Sequence, residues 1–179
     1  MMEIKPVLKQ IIVTFLMIFI SYILQTTVFT KLELAGVVPN FLIIITTSFG
    51  LMRGSKYGMG VGFVCGLVLD CFSGSYFGIY LLIYLYMGFL SGLFKRMFYG
   101  DDIKLPLALI AANDIIYGIL IYLIMFLPRK RFAFGYYFFN TIIPEAVYTI
   151  LLSIVVYYIV LRVNQWFDKD NKRSGKGLV

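Results

Sequence analysis

Three acidic residues, Asp70, Asp114 and Glu145, lie within or at the edge of long apolar stretches of the sequence. Carboxyl groups inside a membrane are costly and commonly mark proton paths, substrate sites or buried charge pairs. Asp114 follows Asn113 near the middle of its stretch, which fits a proton or substrate site and fits a hydrogen-bonded structural acid equally well. A protease dyad is disfavoured, because the candidate for the GxGD motif of membrane aspartyl proteases, Gly66-Leu-Val-Leu-Asp70, is one residue too long.

Other catalytic side chains are scarce. The chain has no histidine, which is the usual base beside a serine or cysteine nucleophile. Its two cysteines, Cys65 and Cys71, are six residues apart in one apolar segment and point to different helical faces, so they predict neither a disulfide framework nor a zinc site. The flanking motifs of a lipoprotein signal peptidase, a membrane enzyme of similar size, are also missing. We expect no enzymatic activity, no cofactor and no metal.

Glycines crowd one part of the sequence, as they do in loops that bind nucleotide phosphates. They recur at every fourth residue, and an aspartate takes the next step of the same stripe: Gly54, Gly58, Gly62, Gly66 and Asp70. This spacing describes a helical face rather than a G-x-G-x-x-G turn. Gly88 and Gly92 repeat it in the next apolar run. Small residues gather where membrane helices approach closely, so the stripe predicts either a partner interface or packing within the bundle, and packing is favoured.

These motifs lie on stretches long enough to cross a membrane. The chain is 61% hydrophobic and only 14% charged, which leaves too few polar groups to cover a soluble globule. Because a spanning helix needs about 20 apolar residues, we predict an all-α integral membrane protein with a six-helix transmembrane bundle in one domain, residues 1–161. A basic tail, 162–179, is expected to fray. The predicted spans are 7–29, 37–52, 57–71, 76–94, 105–127 and 139–161. The second and third spans are short, and a re-entrant hairpin remains an alternative for them.

The net charge of +7 comes from residues clustered between the apolar runs, a pattern that fits membrane topology better than nucleic-acid binding. With the N-terminus inside, twelve lysines and arginines fall on inner segments and four on outer ones, so we predict that both termini are cytoplasmic. Arg129, Lys130 and Arg131 form an outer basic cluster that departs from this rule. One hypothesis pairs this cluster with Asp70 and Glu145 in an outer charge network; a solvated loop, or contact with lipid headgroups, is the alternative.

The short motifs of residues 39–92 resemble, in order and spacing, those of the rod shape-determining protein MreD family. The motifs are Pro39-Asn-Phe-Leu42, Gly62-Phe63, Gly66-Leu67, Leu69-Asp70, Ser73-Gly74, Gly78, Tyr80, Tyr84, Gly88-Phe-Leu90 and Gly92. The resemblance implies a scaffold that binds MreC and helps couple MreB filaments to RodA and a class B penicillin-binding protein. It also implies a fold similar to the substrate-binding subunits of energy-coupling-factor vitamin transporters.

A vitamin transporter subunit of that fold is the alternative function. It is disfavoured because such a subunit would carry an Ala-xxx-Ala docking motif in its first span, and span 7–29 contains no alanine. Whether two copies pair stays open. For the scaffold, the positions expected to form the helix-packing or partner interface are Gly58, Gly62, Gly66, Asp70, Gly74, Gly78, Tyr80, Gly88 and Gly92.

Overall fold

The computed structural model describes residues 4–33, 36–73, 77–97, 103–126 and 134–176. Regular structure within these ranges is helical, and no strand occurs in them beyond one bridging residue, Val37. The α-helices are α1 Ile4–Ile23, α2 Phe41–Arg53, α3 Ser55–Ser73, α4 Ile79–Leu93, α5 Lys104–Ile121, α6 Phe134–Tyr137 and α7 Ile143–Lys176. Wider π-helical turns prolong α1 to Val28 and α5 to Phe126 and join α6 to α7, and a 3-10 turn prolongs α4 to Met97.

Five helical segments are long and apolar enough to cross a bilayer: Leu8–Val28, Ser55–Phe72, Ile79–Met97, Lys104–Met125 and Phe134–Asp168. An all-helical, multi-pass membrane protein is therefore confirmed. The sixth apolar helix, α2, has only 13 residues and a length of about 20 Å, less than the roughly 30 Å of a hydrocarbon core. It is shorter than the predicted span 37–52, because the helix begins only after Pro39 and the capping residue Asn40.

Helix α2 lies at the centre of the bundle. It contacts α3, α4, α5 and α7, and every residue from Phe41 to Met52 is buried. The Asn40 side chain caps its start by accepting a hydrogen bond of 3.2 Å from the Ile43 N–H. Gly54 ends it with a φ of +97°, a conformation that suits glycine and turns the chain directly into α3. Because protein surrounds α2 on all sides, its length does not have to match the bilayer.

The last helix is longer than the sequence suggested. The predicted last span ended at Leu161 and the tail 162–179 was expected to fray, but α7 continues to Lys176. Two side chains of this extension are buried, Asn164 at 9% and Phe167 at 1% exposure, and both contact Arg53 at the end of α2. The expectation of a frayed tail is therefore wrong as far as Lys176.

Candidate functional site

Five of the predicted glycines lie where the backbones of α3 and α4 meet: Gly58, Gly62, Gly66, Gly88 and Gly92. A Cβ atom added to Gly58 would overlap the Gly88 carbonyl oxygen, and one added to Gly62 would overlap the carbonyl oxygen of Tyr84. At Gly66 the added atom would lie 2.6 Å from the Tyr80 oxygen. These residues line the α3 side of the contact. No side chain larger than a hydrogen atom fits at these positions unless the helices separate.

The α4 side of this contact is also built from glycines, and α2 joins it. A Cβ atom at Gly88 would overlap the Gly58 carbonyl, and one at Gly92 would overlap the backbone of Ser55 at the start of α3. Gly50 of α2 lies against the same point, because a Cβ atom there would come within 2.8 Å of the Gly88 oxygen. Sequence analysis missed Gly50, although it extends the period-four stripe by one step toward the N-terminus.

Asp70 caps α4 from the end of α3. Its side chain is 5% exposed, and its two carboxylate oxygens accept hydrogen bonds from the backbone N–H groups of Tyr80, at 3.3 Å, and Leu81, at 3.0 Å. Gly78, the residue before α4, has a φ of +98° and offers no side chain that could cap the helix. Asp70 therefore satisfies two of the unpaired donors at the helix start and places a negative charge at its positive end.

The other members of the predicted outer charge network are only partly described. Arg129, Lys130 and Arg131 lie outside the described residues, as does Gly74 of the predicted interface. The half-buried Glu145 carboxyl lies close enough to Asp114 for the two charges to interact. Sequence analysis did not anticipate this pairing, because the two residues are on different helices and were placed at different depths.

Asp114 is enclosed by the bundle. Its side chain is 3% exposed, and the Thr149 hydroxyl faces it, but neither carboxylate oxygen receives a hydrogen bond of good geometry from the described residues. The rings of Tyr80, Tyr117 and Tyr137 belong to the same polar region. The structure thus does not show the well-bonded structural acid that was one of the two expectations for Asp114. Within the described ranges no three Asp, Glu, Cys or His side chains gather where they could hold a metal ion.

Two hydrogen-bond clusters join the helices around α2. Asn113 donates from Nδ2 to the hydroxyls of Thr47 and Ser91, both at 2.8 Å, and so links α5 to α2 and α4. Asn40 accepts from the Tyr84 hydroxyl at 2.8 Å. Its backbone N–H donates to the Thr149 hydroxyl at 3.1 Å, which adds α7 to the second cluster. The polar residues of the interior therefore fix the relative positions of four helices.

Arg53 occupies the opposite end of the bundle from Asp70. Its Nε donates to Asn164 Oδ1 at 2.7 Å and its Nη1 to Gln10 Oε1 at 3.0 Å, which ties α2 to α7 and α1. The guanidinium also lies over the rings of Tyr57 and Phe167, at 5.0 Å from each centroid, and Nη2 is 3.6 Å from Asp168. Sequence analysis counted this arginine only as one inner positive charge.

Neighbouring residues Asn113 and Asp114 should respond to substitution in opposite ways. Asn113→Ala removes the donor for two buried hydroxyls and should lower the free energy of unfolding by about 1–3 kcal/mol. Asp114→Asn removes a buried carboxyl group that has no hydrogen bond of good geometry and lies close to a second carboxyl group, that of Glu145, and should leave stability unchanged or raise it. Melting curves of the two variants in the same detergent test the pair. A larger loss for Asp114→Asn would show that the carboxylate has a partner that stabilises it.

Comparison with known proteins agrees with this architecture. The family model described as rod shape-determining protein MreD matches residues 6–166, which is most of the chain. No curated protein and no solved structure shows significant similarity to it. A match of this extent covers the glycine contact, the Asp70 cap and Arg53 with its hydrogen-bond partners Gln10 and Asn164, and we conclude that the chain belongs to the MreD family of rod shape-determining membrane proteins.

Proposed function

We propose that this protein is a non-enzymatic scaffold of the rod elongation complex. In this role it binds MreC and helps couple MreB filaments to the wall-synthesis pair of RodA and a class B penicillin-binding protein. The observation that carries the proposal is the family match over residues 6–166. The use of the buried polar groups supports it, since Asp70, Asn113 and Arg53 all bind other helices of the bundle. Lateral contact through apolar surface is then the main way to engage partners.

The proposed topology has six spans with both termini in the cytoplasm, and α2 is the short sixth span inside the bundle. The excess of positive charge on the predicted inner segments supports it. In the structure, Arg53 ends α2 and lies next to the start of α3, where Lys95 Nζ donates to the Arg53 carbonyl at 3.1 Å. Several inner positive charges therefore meet at one end of the bundle. A fold similar to energy-coupling-factor substrate subunits remains part of this proposal.

The glycine stripe contributes to partner binding indirectly in this proposal. Gly58, Gly62 and Gly66 are covered by α4, so a partner helix cannot reach them without separating α3 from α4. Their role is to hold the two helices in the arrangement that presents the outer surface of the bundle. For the end of the bundle opposite Arg53, we keep the proposal of an outer charge network between Glu145 and Arg129–Arg131. The Asp70 carboxylate already accepts hydrogen bonds from two backbone N–H groups at the start of α4.

The experiment that tests the scaffold is affinity purification of the tagged full-length protein from crosslinked native membranes, followed by mass spectrometry. The matched control is an unrelated multi-pass protein with the same tag and expression level. We expect enrichment of an MreC-like single-span protein together with wall-synthesis enzymes. Recovery of an ATPase pair with a membrane-embedded coupling subunit would instead identify a transporter subunit. A second, differently tagged copy in the same cells reports whether two chains pair.

A further inference from the structure

An apolar groove lies between α1 and α3 on the outer side of the bundle. It has a volume of about 400 Å³ and is lined chiefly by Ile11, Phe15 and Ile18 of α1 and by Val61 and Val64 of α3. Ile11 and Phe15 are 56% and 52% exposed, so the groove opens sideways to the surrounding bilayer. Its volume falls within the range of small-molecule sites in proteins.

The polar groups of the groove lie in two places, in its wall and at one end. The hydroxyls of Thr14 and Tyr57 share a hydrogen bond of 2.8 Å and so satisfy each other within the wall. Lys56, at the end of the groove near the Arg53 cluster, is exposed and is the only charged residue among the described residues of the lining. Two other lysines near this end are engaged: Lys9 Nζ lies 4.1 Å from the centroid of the Trp166 ring, and Lys95 bonds the Arg53 carbonyl.

The middle of the groove is widened by a glycine that does not belong to the α3–α4 contact. A Cβ atom added to Gly60 would meet no atom within 4 Å, whereas those added to Gly58 and Gly62, on the other face of the same helix, overlap the backbone of α4. The empty space at Gly60 therefore lies on the groove side. An apolar chain that lies along the groove would therefore meet no side chain at Gly60.

We propose that this groove binds one anionic phospholipid, with an acyl chain along α1 and α3 past Gly60 and the phosphate at Lys56. Because bilayer tails are as apolar as the groove, the groove alone gives little preference among lipids. The preference comes from the ammonium group at its end. One lysine near an anionic headgroup is worth about fivefold in affinity, and the site is at the end proposed to face the cytoplasmic leaflet, where anionic lipids concentrate. The proposal does not depend on MreC binding.

Native mass spectrometry of the full-length protein in detergent tests it with two added lipids, palmitoyl-oleoyl phosphatidylglycerol and the matching phosphatidylcholine. We expect one phosphatidylglycerol to bind about fivefold more tightly than phosphatidylcholine. Lys56→Gln should remove that preference, while Lys31→Gln, at the opposite end of α1, should keep it. Gly60→Leu fills the groove and should abolish tight binding of both lipids. Gly135→Leu is its control, because a Cβ at Gly135 also meets no atom within 4 Å.

Equal affinity for the two lipids, or phosphatidylglycerol binding that survives both Lys56→Gln and Gly60→Leu, would overturn the proposal. A photo-crosslinking amino acid at position 11, on the rim of the groove, distinguishes the occupants in native membranes. Attachment of phospholipid is the expected result. Attachment of a protein helix at this position as the main product would mean that the groove is a docking site for a partner span and not a lipid site.

Discussion

Replacing Gly62 by leucine should prevent α3 from packing on α4 and leave little protein that survives extraction as a folded, monodisperse species. A Cβ atom at this position already overlaps the Tyr84 carbonyl oxygen, and that oxygen is part of a helix backbone that cannot move away as a side chain can. Overpacking a tight core costs about 1–3 kcal/mol and sometimes more, and a rigid neighbour places this variant at the upper end, about 3 kcal/mol or above. Size-exclusion chromatography of a fluorescent fusion in mild detergent measures the effect.

Gly60→Leu is the matched control, because it places the same side chain on the same helix two residues earlier. Its Cβ atom meets nothing within 4 Å, so the variant should elute and melt like the wild-type protein, within about 0.5 kcal/mol. If Gly62→Leu were as stable as Gly60→Leu, the α3–α4 contact would not be what holds these helices together. If Gly62→Leu were stable but failed to recover MreC, the stripe would be a partner interface.

The close approach of α3 could be anticipated from its sequence, because a glycine at every fourth residue has a clear physical meaning in a membrane helix. The pattern does not identify the helix that packs against α3. The prediction also left out Gly50, which brings a third helix, α2, to the contact. The length of α2 was overestimated for a related reason. Apolar residues 37 and 38 continue the hydrophobic pattern, but the Pro39-Asn40 start fixes where the helix begins.

The polar clusters were not predictable because they join residues that are distant in the sequence. Arg53 and Asn164 are separated by 111 positions, and Asn113 and Thr47 by 66. None of these residues belongs to a sequence motif that would mark it in its own helix. Only the packing of the bundle brings their atoms within hydrogen-bonding distance. The contacts of Arg53 with Asn164, Phe167 and Asp168 explain why α7 continues past the predicted end of the last span at Leu161. The sequence alone does not show that this basic segment has a partner in the bundle.

Arg53→Ala should loosen the contact of α7 with α1 and α2 around Asn164 and Phe167. The substitution leaves the side-chain oxygens of Asn164 and Gln10 without this donor and removes the cation from the rings of Tyr57 and Phe167. Hydrogen bonds to a charged group contribute about 1.5–3 kcal/mol each, and the exposed ion pair with Asp168 adds little, so we expect a loss of about 3 kcal/mol. For a chain of this size, that corresponds to a melting temperature lower by roughly 6–12 °C.

The only tryptophan of the chain reports on this end directly. Trp166 is next to Phe167 and under the Lys9 ammonium, so its emission should shift to the red in Arg53→Ala as the extension of α7 loosens. Arg53→Lys should recover only part of the stability, because an ammonium group cannot reproduce the planar fork that reaches Asn164 and Gln10 together. Arg96→Ala is the control, an exposed arginine in the 3-10 turn after α4, and should change neither melting nor emission. Full recovery by lysine would mean that Arg53 acts through its charge alone, and the hydrogen bonds to α1 and α7 would then contribute little.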